Sequence, residues 1–138
     1  MNDLDVENYS LASDSWGNEE IEAINDVVKS NRFTMGEKVK TFEAEFSKYF
    51  SVNHALMLNS GSSANLLALS SFNFKKGSEI ITPTLTFSTT VSPIYQVGCI
   101  PYFIDVDKFS FLSNLNQIEK AINKKTVANI IQKLLGNI

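Results

Sequence analysis

The sequence holds one cysteine, Cys99, and one histidine, His54, in 138 residues. A single cysteine cannot close an internal disulfide, which suits a reducing compartment. The same inventory excludes a His/Cys zinc cluster. Cys99 stands between Gly98 and Ile100 with no paired motif, and a packed, inert thiol is expected because a reactive one needs an exposed, electropositive setting. His54 falls within an apolar run, so a packed or hydrogen-bonded imidazole is expected. Excess charge is also scarce. A net charge of −3 provides no basic field for phosphate backbones, and no nucleic-acid partner is expected. No apolar run approaches the roughly 18 residues of a membrane span. The first nine residues carry Asp3, Asp5 and Glu7 and no basic segment, unlike a signal peptide. No membrane partner, no metal and a cytoplasmic location are therefore expected.

Repeats, low-complexity tracts and Pro/Gly/Ser linkers are absent as well. What is present is enough apolar residue for a packed core. Ile21, Ile24, Val27 and Val28 recur at helical spacing, with Asn18 as the expected N-cap. Residues 32–36 read as a loop. Val39, Phe42, Phe46, Tyr49 and Phe50 predict a second amphipathic helix. The pattern then changes. Residues 54–58 read as a short buried strand, 62–72 as a helix, 79–82 as a strand, 86–96 as a helix, 100–106 as a strand and 114–123 as a helix. Alternating strands and helices with short links predict an α/β class with a parallel sheet. Residues 127–135 fit either a helix or a further strand. Polar Asn129, Gln132 and Lys133 favour the helix.

The chemistry-bearing stretch is Asn59-Ser60-Gly61-Ser62-Ser63-Ala64-Asn65, placed where a strand hands over to a helix. Ligands of parallel sheets bind at such carboxyl-end junctions. A helix start offers unpaired N–H groups and partial positive charge, so it suits a phosphate. Gly61 permits close approach, and Ser62 and Ser63 add hydroxyls. An ordinary serine-capped turn is the plainer alternative. The stretch lacks the Gly-Lys-Ser/Thr of a P-loop and the later glycines of a dinucleotide fingerprint. At the next junction, Phe87 stands among Thr84, Thr86, Ser88, Thr89 and Thr90. It either plugs the core or stacks on a flat ring whose phosphate is gripped next door.

These blocks, with Lys76-Gly-Ser-Glu-Ile-Ile-Thr-Pro and Pro101-Tyr-Phe-Ile-Asp-Val-Asp, resemble the N-terminal part of the DegT/StrS-type sugar aminotransferases. These are fold-type I enzymes that use pyridoxal 5′-phosphate (PLP) on nucleotide-linked keto-sugars. The resemblance runs in register from Tyr9 to Asn137. It implies a partial, truncated large domain of three α/β/α layers. It divides the chain into an N-terminal segment (1–36) with one helix and a substrate or interface loop, and an incomplete PLP-binding domain (37–138). Gly61, Ser62, Ser63 and Ala64 match the phosphate-binding positions, and Phe87 matches the aromatic that stacks on the pyridine ring. Residues 9–13 with Trp16, and Phe33-Thr34-Met35-Gly36, resemble the branch containing 4-keto-6-deoxyhexose 3-dehydratases. In the family they border the substrate pocket, often at a homodimer interface; a solvent loop and a core tryptophan are the alternative.

PLP chemistry also requires a Schiff-base lysine and an acid on the pyridinium nitrogen. None of Lys75, Lys76, Lys108, Lys120, Lys124, Lys125 or Lys133 matches the family's lysine motif, which the dehydratase branch replaces with histidine. Asp105 and Asp107 are expected to finish a strand and turn. No catalytic residue is therefore assigned, and the chain by itself is expected to be inactive and marginal in stability. Amino transfer to a keto-sugar is the first expectation, 3-dehydration the second, and a non-catalytic module docking on a full-length relative the third.

Overall fold

The computed structural model describes residues 14–136, so residues 9–13 of the expected substrate-border segment lie outside the described residues. The chain forms two compact units, one ending at Met57 and one beginning at Leu58. The boundary expected at residues 36–37 falls inside the first.

The first unit contributes helices α1 (Asn18–Ser30) and α2 (Glu37–Tyr49). Helix α1 is capped by Gly17 and not by Asn18, because Glu20 reaches back to accept the Gly17 N–H at 2.7 Å. It ends at Asn31, whose left-handed φ of 52° lets its N–H bond the Val28 carbonyl. On α2 the apolar stripe is an aromatic ladder, with Phe42–Phe46 centroids 5.6 Å apart and Phe46–Phe50 at 4.5 Å. Neither helix contains a buried residue.

Residues 54–58 are not the expected strand. Among the described residues no ladder pairs with them, and the Met57 N–H instead donates to the Glu43 carboxylate at 2.7 Å. An extended apolar run becomes a strand only when a neighbour answers its backbone groups. His54 is likewise exposed and not packed.

The second unit is built on a three-stranded parallel sheet in the order β2-β1-β3. Its elements are α3 (Gly61–Ser71), β1 (Glu79–Pro83), α4 (Ser88–Gln96), β2 (Ile100–Ile104), α5 (Leu115–Ala121) and β3 (Thr126–Asn129), followed by a 3₁₀ turn, Leu134–Gly136. Expected strand 100–106 stops at Ile104, and expected helix 86–96 begins only at Ser88. Strand β1 is central, and Ile80, Ile81, Thr82 and Pro83 are all buried. Because successive strand side chains point to opposite faces, Ile80 packs with Leu69 of α3, Ile94 of α4 and Cys99 just before β2. Ile81 packs with Ile104 and with Ile118 and Ala121 of α5 on the other face. That is a three-layer α/β/α sandwich.

The helix expected over 127–135 is corrected by β3. Glu79 donates to the Lys125 carbonyl and Ile130 to the Ile81 carbonyl, both at 2.8 Å. The open edge of β1 outweighs a helical spacing of apolar residues. As β2 lies on one side of β1 and β3 on the other, the winding reverses at β1, so ligands are expected beyond its carboxyl end. Gly98 is required where it stands: its φ is +79°, and a Cβ there would lie 3.0 Å from the Lys76 side chain.

Candidate functional site

Helix α3 starts one residue after Ser60, whose side chain is the N-cap. Its Oγ accepts the Ser63 N–H at 3.1 Å and lies 3.2 Å from the Ser63 hydroxyl. The Ala64 N–H closes the first turn on the Ser60 carbonyl at 3.1 Å. Among the described residues, the first-turn amides of Gly61 and Ser62 make no hydrogen bond. Gly61 has no positive φ, and a Cβ built on it meets nothing within 4 Å. Neither backbone conformation nor internal packing demands glycine there, so what it keeps open is space outside the helix. Ser63 also lines a shallow, mainly apolar depression of about 350 Å³ with Leu58, Leu66 and Leu67.

The next junction is the turn from Pro83 to Ser88. Thr84 N–H donates to the Ile104 carbonyl of β2 at 2.9 Å, and the Gln132 amide, just past β3, donates to the Leu85 carbonyl. The turn is thus held from β2 on one side and from the segment after β3 on the other. Phe87 is the N-cap of α4 and 74% exposed, which removes the core-plug alternative. Among the described residues, the hydroxyls of fully buried Thr82 and half-buried Thr86 have no partner; such groups are costly to bury unless something answers them.

The two junctions meet. Asn65 Nδ2, one turn into α3, donates to the Thr89 carbonyl of α4 at 3.1 Å. Both helices lack acidic residues in their first turns, whereas α1 opens with Glu19 and Glu20 and α2 with Glu37. Two uncompensated positive helix ends favour an anion at this end of the sheet. Gly61, Ser62, Ser63, Ala64 and Phe87 therefore belong to adjoining helix starts. The roles of Ser60, Asn65 and Gln132 were not read from sequence: the serine was one of several in a run, and the two amides act across 24 and 47 residues.

In the first unit, Phe33, Thr34, Met35 and Gly36 line a cavity of about 410 Å³ together with Arg32 and Lys38. Met35 holds a left-handed φ of 42° and is 78% exposed. Trp16 is exposed, its backbone N–H donating to Asp14 Oδ1 at 2.9 Å, so it is not a core tryptophan. Elsewhere, burial pushes the Cys99 thiol pKa up, as expected of a packed sulfur. Asp107 accepts the Phe109 and Ser110 N–H groups at 3.0 and 2.8 Å. The Ser110 and Phe109 amides, with the Ser110 hydroxyl, hold the Asp107 pKa below the ordinary carboxylate value. Asp105 accepts the Val106 N–H at 2.8 Å. Both acids finish a strand and turn.

Residues 14–138 match the model of the DegT/DnrJ/EryC1/StrS aminotransferase family. A GDP-4-keto-6-deoxy-D-mannose 3-dehydratase of Yersinia pseudotuberculosis is 40% identical over 136 residues, covering 94% of this chain and 35% of that protein. The E. coli enzyme of that name, solved with bound hydrated PLP, superposes with a TM-score of 0.88 at 39% identity, over 94% of this chain and 35% of that one. A sugar aminotransferase of Streptococcus pneumoniae in its PLP form gives 0.85 at 30% identity, over 89% and 31%. The chain thus spans about a third of the length of these relatives. Its architecture is that of part of a fold-type I PLP enzyme. The chain belongs to the DegT/DnrJ/EryC1/StrS aminotransferase family.

Proposed function

We propose that the second unit supplies the phosphate cradle and ring platform for PLP in an enzyme acting on a nucleotide-linked 4-keto-6-deoxyhexose. The observation that carries this is the Asn65–Thr89 bond, which joins the two helix starts. Gly61 and Ser62 present amides to the phosphate, Ser62 and Ser63 present hydroxyls, Ala64 closes the turn beneath, and exposed Phe87 covers the ring. Bound PLP would supply the electron sink. The donor set fits it: open space outside Gly61, two helix starts without acids and an aromatic face.

The family includes both amino transfer and 3-dehydration. Sequence placed amino transfer first. The higher identity to 3-dehydratases, 39–40% against 30%, favours 3-dehydration. The residue that separates the reactions, lysine or histidine, matches none in this chain, so catalysis is assigned to an enzyme in which these junctions meet it. We assign the Phe33–Gly36 cavity to the nucleotide-linked sugar, since Arg32 and Lys38 among its lining suit a diphosphate. Trp16 and this loop are placed beside the substrate or at a homodimer interface of that enzyme.

Titrating the chain with PLP, followed by cofactor absorbance, tests the cofactor role. Phe87→Ala is expected to weaken binding about tenfold, the scale of one lost aromatic contact. Unaltered affinity would remove the platform. Incubation of the full enzyme with a GDP-linked 4-keto-6-deoxyhexose and glutamate separates the reactions: a 3-deoxy product supports dehydration, an amino-sugar contradicts it.

A further inference from the structure

We infer that Asn65 is a positioning residue, holding the phosphate junction and the ring junction in fixed register through the Thr89 carbonyl; this rests on the cofactor reading above. Pro93 lies inside α4 and is buried. In an α-helix the N–H of residue 93 would bond the carbonyl of residue 89, and proline has no N–H to give. The Thr89 carbonyl is therefore left without its helical donor, and Asn65 Nδ2 takes it at 3.1 Å.

The place of this bond gives it a second consequence. Asn65 stands two residues beyond Ser63, and Thr89 two residues beyond Phe87. The half-buried carboxamide thus clamps α3 to α4 at the turns that carry the cradle and the platform. A cofactor held at both ends needs their separation fixed before it arrives, because ordering them on binding would cost affinity. A helix-favouring residue at 93 would have satisfied Thr89 within α4. Among the described residues, no other hydrogen bond joins α3 to α4.

Stability and PLP affinity separate the two consequences. Asn65→Ser is too short to reach Thr89, so it is expected to destabilise the chain and to weaken PLP about tenfold, the scale of one lost hydrogen bond. Adding Pro93→Ala returns an N–H to α4. The Asn65→Ser/Pro93→Ala chain should regain stability in denaturant while PLP affinity stays low, since the link between helices is still missing. Recovery of affinity together with stability would overturn the proposal, as would an Asn65→Ser chain that binds PLP normally. If Asn65→Ser does not fold, Asn65→Leu, which keeps the size, stays neutral and loses the donor, takes its place. Phe87→Ala is the control for the cofactor reading. Normal PLP affinity in that variant overturns both readings, whereas weakened affinity there with normal affinity in Asn65→Ser overturns the positioning role alone.

Discussion

Ser60 and Ser63 close on each other at the start of α3, the Ser60 Oγ accepting the Ser63 N–H at 3.1 Å while its hydroxyl sits 3.2 Å from that of Ser63. The cap occupies a donor that a phosphate would otherwise use. Ser60→Asp keeps a good cap but places a carboxylate against the anion. Its stability should stay within about 0.5 kcal/mol of the parent, while PLP affinity falls about tenfold or more through repulsion. Denaturant melts and PLP titration read the two effects, and unchanged affinity would place the phosphate elsewhere.

Gly61→Ala separates space from backbone freedom. A methyl group there touches nothing in the chain, and alanine is the better helix former. The variant should be as stable as the parent or slightly more so. If the space outside Gly61 belongs to the phosphate, PLP affinity drops about tenfold, since overpacking a filled site costs about 1–3 kcal/mol. A titration curve matching the parent would contradict that.

Gln132 braces the turn before Phe87 through the Leu85 carbonyl, and among the described residues its own buried oxygen has no partner. Replacing it with Leu keeps bulk and removes the brace. Amide exchange over residues 84–90 is expected to accelerate about tenfold, with Ile80 and Ile81 unchanged, because local openings have their own free energies. Equal protection in both chains would show that the Thr84–Ile104 bond suffices.

Asp107 and Glu20 give the fold an acid-sensitive element. Both carboxylates accept backbone N–H groups, Asp107 from Ser110 and Phe109 and Glu20 from Gly17, and both pKa values are lowered. Folded values below unfolded ones mean that this stabilisation is present above the unfolded carboxylate pKa and is lost as pH falls through the folded one. Asp107→Asn should reduce the loss of stability on acidification below the ordinary carboxylate range. A pH-stability curve parallel to the parent's would contradict it.

Cys99 is 3% exposed and its thiol pKa is raised by burial. A thiol reagent at neutral pH should label it only as fast as the α3/α4 layer opens, so labelling accelerates in step with added denaturant. Immediate labelling of the native chain would contradict the packing of Cys99 with Leu69, Ile80 and Ile94.

What could be read in the sequence was what is decided locally. The stripes of α1 and α2 carry their own periodicity, and β1 is bounded by Gly77 and the residues after Pro83. The serine-rich run at Ser60–Ser63 announced a helix start. The strand expected over 54–58 and the helix favoured over 127–135 fail for one reason. Strand formation depends on whether a distant edge supplies partners: β1 offers one to β3, and among the described residues nothing pairs with 54–58. The brackets around the site were also illegible, because Asn65 and Gln132 each bond a carbonyl far along the chain, and any carbonyl looks alike in sequence.

Backbone amide resonances recorded during PLP addition test the central claim most directly. The account predicts that Gly61 and Ser62 shift together with Phe87, along one saturation curve, while the amides of α5 stay still. Shifts confined to one junction, or none at either, would contradict it.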